Sequence, residues 1–430
     1  MRLPGRLSAA IEVLADVETR HRPVAEALKA WGINNRFAGA GDRAAIGNLV
    51  YDALRKRASH AYAMQSDAPR ALVLAVAVFD WCMTPEELND FFAGDTHAPE
   101  ILSAEEAQRL SARDPLEDAP EHVRADMPEW TVPSLKRSLG PFWREEGRAM
   151  AARPSLDLRA NTLKADRARV LKSLERVAAA PTDISPIGLR IAAGERDSRT
   201  PNVQADEGYL KGWFEVQDQG SQIVALLAGA QPGEQVLDLC AGAGGKTLAM
   251  SAAMGNKGQI FAYDSDRHRL APIYDRLKRN GARNVQVRAP GDGALDDLVG
   301  RMDRVVIDAP CTGTGTWRRR PDTKWKLTEA QLEQRVADQA AILVEGARYV
   351  KPGGVLVYIT CSILDEENEA QVSGFRTEHL EFTPISIAPS LDALAAGASQ
   401  RVHVGESGML LTPHKTGTDG FFVALMRKGG

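Results

Sequence analysis

The sequence predicts a multidomain chain: an all-α N-terminal region, a small α/β module, and a C-terminal α/β domain of Rossmann-like type on a mostly parallel sheet. Three observations carry this. Apolar residues recur at helical spacing through the first 130 residues, prolines cluster between Asp114 and Pro133, and from Glu215 onward short apolar runs alternate with helical segments. At 430 residues, two or three domains are expected rather than one core. The boundaries read as 1–130, 131–214 and 215–430.

Composition narrows the class without naming a function. With 44% apolar and 26% charged residues the chain reads as soluble and globular, and no apolar run reaches membrane-spanning length. Glu12 and Asp16 interrupt the N-terminal apolar pattern, which argues against a signal peptide. The four cysteines form no CxxC pair and the eight histidines show no ligand spacing, so neither a disulfide framework nor a metal site is expected. The thiols fit a reducing cytoplasm, and the chain is expected to be a monomer without a membrane partner. A net charge of −4 does not advertise a nucleic-acid partner, but binding needs only a local basic surface.

In the first region, Ile46, Leu49, Val50, Ala53 and Leu54 share one face of a helix over Arg43–Arg57. Ser103 with Glu106 is a capping box opening another helix. Asn34-Asn35 and Gly39–Gly41 read as turns. Arg55, Lys56 and Arg57 either decorate a helix C-terminus, where cations are favoured, or face RNA. Residues 114–133, with four prolines, read as a linker. In the middle module, residues 155–163 alternate like a strand and Asp166–Val177 read as a helix.

In the last region the runs QVLDLC, QIFAYD, NVQVRA, RVVIDAP, GVLVYITC and FFVALM are the expected strands. Ligands of such sheets bind beyond the carboxyl ends of the strands, so the residues following each run are the informative ones. The first run leads into DLCAGAGGKT, with glycines at 242, 244 and 245. A phosphate-binding GxxxxGK[ST] loop needs glycine where Cys240 stands, and a GxGxxG fingerprint needs one where Thr247 stands. Asp238 would repel a pyrophosphate but suits a cationic ligand, the sulfonium and amino group of S-adenosylmethionine. Asp264 ends the next strand at the distance of a ribose-binding carboxylate, and Asp292 in GDG follows the third, where an adenine amino group could be held. Three strand ends in the right order, with the glycine loop, therefore read as a cofactor site.

Cysteines are usually packing residues, and Cys82 and Cys240 read so. Cys311 in DAPCTGTG and Cys361 in YITCS differ, because both follow strands at the active edge. Carbon 5 of cytosine is too weak a nucleophile to take a methyl group unaided. A thiolate added to carbon 6 makes carbon 5 nucleophilic, which divides one hard step into easier ones. The attacking thiol must ionise, and a carboxyl group near ring nitrogen 3, for which Asp308 is placed, would stabilise the adduct. The residues alone do not say which cysteine attacks.

VQDQGSQ, DLCAGAGGKT, DAPCTGTG, RRRPDTKW, TCS with EEN, and TDGFF occur in the order found in RNA 5-methylcytosine methyltransferases. On these motifs the chain resembles the RsmB (Fmu/Sun) family, and GDRAAIGNLVYDALR with RLSAAIEVLADVETR resembles the family's NusB-like RNA-binding domain. The resemblance implies a class I S-adenosylmethionine-dependent methyltransferase acting on small-subunit ribosomal RNA. It makes Cys361 the nucleophile, has Cys311 assist product release, and sets Asp308 against the target base. It also implies that Cys240, Ala241, Gly242, Ala243, Gly244, Gly245, Lys246, Asp264, Asp292 and Asp308 hold the cofactor. In the corresponding DNA enzymes the PC cysteine attacks, so this assignment rests on the family. Arg318, Arg319 and Lys324 of RRRPDTKW are then candidate RNA contacts, expected on a solvated loop that phosphates approach. The target base must be unpaired or flipped out. Two other readings are a transfer-RNA substrate, and an RNA-binding or antitermination-type protein whose methyltransferase half is vestigial.

Overall fold

The computed structural model describes residues 1–430. The N-terminal region is helical: α1 (Leu3–Arg20), α2 (Val24–Asn34), α3 (Ala40–Arg55), α4 (Arg57–Met64), α5 (Pro69–Ala75), α6 (Pro85–Ala93) and α7 (Ala104–Leu110). Each buries the stripe its spacing dictates. Leu7, Ala10, Val13, Leu14 and Val17 of α1 meet Ile46, Leu49, Val50, Ala53 and Leu54 of α3 in one core. The Ser103–Glu106 capping box opens α7. Gly39 is the N-cap of α3 rather than part of a longer turn, so Ala40 and Gly41 are already helical. Cys82 is exposed, with φ +56°, in the turn after Trp81, and is not the packing residue its apolar neighbours suggest.

Between this region and the catalytic sheet lies a four-stranded antiparallel sheet: β1 (Leu156–Ala160), β2 (Ala180–Pro181), β3 (Gly188–Ile191) and β4 (Phe214–Val216), in the order β2-β3-β1-β4. A helix over Arg167–Ser173 covers one face. The stretch expected to be a linker is structured at its C-terminal end. Ala125, Met127, Leu135, Leu139, Trp143 and Met150 join the core of the large C-terminal sheet, because helices Val132–Leu139 and Trp143–Met150 lie against it.

The large sheet contains β5 (Gln235–Asp238), β6 (Gln259–Tyr263), β7 (Val285–Arg288), β8 (Met302–Asp308), β9 (Val350–Thr360), β10 (Phe382–Pro384), β11 (His403–Val404), β12 (Gly408–Leu411) and β13 (Phe421–Lys428). Its order is β11-β12-β13-β9-β8-β5-β6-β7, with β10 also against β13. Strands β5 to β9 run parallel and β13 is antiparallel to β9. All six predicted runs are strands. The central ones are continuous apolar runs because both faces are covered. Val305, Ile307, Leu356 and Tyr358 enter the core on one face, and Val306, Val357 and Ile359 enter the other, the two-residue alternation of a strand. The order reverses between β5 and β8, the place where such sheets open a crevice at their carboxyl edge.

Candidate active site

Four carboxylates stand at or just beyond the carboxyl ends of four adjacent strands, β7, β6, β5 and β8: Asp292, Asp264, Asp238 and Asp308. Asp238 is fully buried. Its Oδ2 accepts from Thr247 Oγ1 at 2.6 Å, while its Oδ1 has no partner. An unmet buried acceptor costs on the order of 1–3 kcal/mol and is worth keeping only where a donor arrives. Burial pushes this carboxyl up to about 7.

The glycine loop between Asp238 and the helix Gly245–Ala253 is held from below. Gly244 has φ +82°, and a Cβ there would lie 2.5 Å from Ile273. Only glycine serves at that point. Gly242 N donates to Asp264 Oδ2 at 3.0 Å, so the ribose-type carboxylate also shapes the loop. Cys240 and Ala241 are buried beneath it, and Arg276 Nη1 donates to Ala243 O at 2.7 Å. Asp292 is exposed in the loop after β7. An unmet acceptor, a glycine cradle and carboxylates on neighbouring strand ends suit a cationic ligand carrying hydroxyl and amino donors. They would oppose a polyphosphate.

Asp308 does not stand free. The Lys246 ammonium lies 2.6 Å from its Oδ2 and 5.2 Å over the Phe421 ring. Beyond β8 and β9 the two cysteines converge, with Cys311 Sγ 3.4 Å from Cys361 Sγ. The hydrogen bond to Cys361, and then burial, raise the Cys311 thiol well above its ordinary value, so Cys311 keeps its proton.

Residues that the sequence reading did not single out hold this pair. Glu367 is fully buried and accepts from Thr312 N at 2.8 Å, from the Thr312 hydroxyl and from Gln339 Nε2 at 2.9 Å. Gln339 in turn donates to Pro310 O, beside Cys311. Gly315 N donates to Cys361 O at 2.9 Å. A Cβ on Gly315 would lie 2.2 Å from Gly420 O, which explains both the TGTG and the TDGFF motifs as one close backbone crossing. Glu367 was visible only as part of the EEN motif; its span of 55 residues to Thr312 has no local signal.

The basic motif is the main correction. Arg318 and Lys324 are buried, not solvated. Arg318 and Arg319 are ion-paired with Asp218 of VQDQGSQ and Asp419 of TDGFF, a quartet in which two buried carboxylates meet two guanidiniums. Lys324 Nζ donates to Arg55 O at 2.8 Å and to Asp126 O at 2.7 Å. Arg55 Nε returns a bond to Arg318 O at 2.7 Å, and Trp325 Nε1 donates to Leu54 O. The reason is topological: α3 docks on this segment, so its cations satisfy carbonyls and carboxylates of the protein instead of facing solvent. Arg320 remains exposed.

Comparison with known proteins agrees with this architecture. The family model for 16S rRNA methyltransferase RsmB/F matches residues 225–427, and that for the ferredoxin-like domain of RsmF/B-like methyltransferases matches residues 127–195. A probable ribosomal RNA small subunit methyltransferase B of Synechocystis is 34% identical over 313 residues, 70% of this chain and 66% of that protein. The Bacillus subtilis protein of the same description is 30% identical over 341 residues, 77% of this chain and 73% of that protein. The chain thus spans from just under two thirds to about three quarters of the length of these two relatives. The crystal structure of PH0851 superposes with a TM-score of 0.72 at 25% identity, covering 100% of this chain and 99% of that one.

Proposed function

The chain belongs to the RsmB/F family of 16S rRNA methyltransferases, and from that membership we propose that it methylates carbon 5 of a cytosine in small-subunit ribosomal RNA, using S-adenosylmethionine. The observation that carries this reading is the approach of two thiols, 3.4 Å apart, beside the row of strand-end carboxylates. No residue of the set is missing, which speaks against a vestigial enzyme.

The loop 240–246 with Asp264, Asp292 and Asp308 would hold the cofactor, and the unmet Asp238 Oδ1 supplies negative charge beneath it. S-adenosylmethionine, when bound, supplies an electrophilic methyl group on a sulfonium. The chain's residues do the rest. Cys361 adds as a thiolate to carbon 6, forming a sulfur–carbon bond and moving the ring electrons toward carbon 5 and nitrogen 3. Asp308 is paired with Lys246, so the Lys246 ammonium stands beside it as a donor that would stabilise the charge developing on the ring. Cys311 holds its proton toward the Cys361 sulfur. Release requires the carbon-5 proton to leave as the Cys361–carbon-6 bond breaks; Cys311, beside that bond, would pass its own proton to the departing Cys361 sulfur and take the carbon-5 proton in its place.

Helices α1–α7 are read as the family's NusB-like RNA-binding domain, carried over from the residue pattern of α1 and α3. Bisulfite sequencing of total RNA from cells with and without the gene tests the whole reading. A single protected cytosine in 16S RNA, lost on deletion, is expected. Loss of a transfer-RNA signal instead, or of none, would contradict it.

A further inference from the structure

With Arg318 and Lys324 buried, the RNA-facing surface must lie elsewhere, and one patch at the active edge has the chemistry. Phe142 is 42% exposed. Lys415 Nζ lies 4.7 Å over its ring, the His414 ring stacks beside it at 6.4 Å, and His403 approaches edge-on at 6.2 Å. Next to it, Lys136 Nζ lies 5.7 Å over the Trp143 ring. Lys136 and Arg148 are exposed, and Lys136, Arg148 and Lys415 meet no carboxylate.

The patch is rigidly built. Glu146 is fully buried and accepts from the Thr412 hydroxyl and from His414 N at 2.8 Å, with His403 Nε2 at 3.3 Å. This pins the segment before TDGFF against helix Trp143–Met150. The patch shares its sheet edge with the reacting sulfur. Ser138 Oγ donates to Ile363 O at 2.7 Å, two residues past Cys361, and Gly420 N donates to Gly315 O at 2.8 Å. Leu411, the end of β12, is two strands from β9 at the same edge, or about 10 Å at ordinary strand spacing.

We propose that this aromatic–basic patch seats the unpaired RNA flanking the target cytosine, with a base stacked on Phe142 and phosphates on Lys136, Arg148 and Lys415. The inference rests on the RNA reading above. An exposed ring face among cations with no carboxylate partner is what single-stranded nucleic acid uses, because every base offers a flat face and every linkage a charge. An acidic polypeptide would match the charge and leave the ring without a purpose.

The test is fluorescence anisotropy of the full chain with a short labelled single-stranded RNA containing the target cytosine, and with its duplex, across a KCl series. Phe142→Ala should weaken single-strand binding about tenfold and duplex binding much less. The triple variant K136Q/R148Q/K415Q should lower the slope of log affinity against log salt by about two. Unchanged melting and unchanged sinefungin affinity show that both variants are folded. If the wild type binds RNA and the variants bind it equally well, the patch is not the seat and the RNA reading survives. If the wild type binds no RNA, the RNA reading falls and the patch with it. Equal losses on duplex and single strand, or displacement of the RNA by polyglutamate at matched charge, would also overturn the assignment.

Discussion

Cys311 Sγ lies 3.4 Å from Cys361 Sγ although 50 residues separate them, because β8 and β9 are parallel neighbours whose carboxyl ends are in register from Asp308 to Ile359. One thiol is thereby held protonated by the other. The Cys361→Ala variant is expected to lose methyl transfer to background while keeping its affinity for RNA and for sinefungin. Filter-binding and tritium-incorporation assays on the same preparation check this; measurable turnover would reverse the assignment of the nucleophile.

Asp238 should make cofactor binding depend on pH. Its carboxyl is raised to about 7, so in the free protein it is largely neutral below that pH. Burial makes the charged form costly, so the stability this group contributes is full below about pH 4 and is lost as pH rises through about 7. A ligand of net positive charge favours the carboxylate, and its binding should release a proton. Sinefungin affinity measured by calorimetry is expected to rise between pH 6 and pH 8, and Asp238→Asn should flatten the profile. A flat wild-type profile would contradict the linkage.

Lys324 ties the helical domain to the catalytic one. Lys324→Ala leaves Arg55 O and Asp126 O without their donor in a buried interface, at a cost of about 2–4 kcal/mol. Burial lowers this amine to about 8, so the charged form is penalised below that pH, and the penalty is relieved as pH rises from about 8 toward 10.5. Chemical denaturation at pH 7 checks the cost. If Lys324 were a phosphate contact, the variant would instead keep its stability and lose salt-dependent RNA affinity.

Glu367 acts through Thr312 and Gln339 on the Cys311 loop and is a positioning residue. Glu367→Gln keeps one acceptor oxygen for Thr312 N and Gln339 Nε2 but puts an amide donor where the Thr312 hydroxyl now donates. Turnover should fall by about 10- to 100-fold with little change in cofactor affinity. A change confined to KM would assign Glu367 to RNA binding instead.

Local signals account for what was legible in the sequence. Apolar periodicity marked the first 130 residues as helical and showed all six strands, and the strand-end rule drew attention to Asp238, Asp264, Asp292, Asp308 and both cysteines. What escaped was long-range. Arg318, Arg319 and Lys324 look like a solvated basic loop until α3 and residues 218 and 419 are brought against them, between 100 and 269 residues away in sequence. Helices 132–150 were hidden behind prolines that stand at helix starts, as Pro133 does in the first turn of Val132–Leu139. Cys82 misled because its neighbours are apolar while its own backbone turns to positive φ at the surface.

Covalent attack by Cys361 is the central claim, and trapping the adduct tests it most directly. Cys311→Ala removes the thiol beside the sulfur–carbon bond and should slow release. Incubated with S-adenosylmethionine and target RNA, it is expected to give a protein–RNA band that survives a denaturing gel, and the Cys311→Ala/Cys361→Ala double variant should give none. A band that persists in the double variant, or that appears with Cys361→Ala alone, would contradict the account.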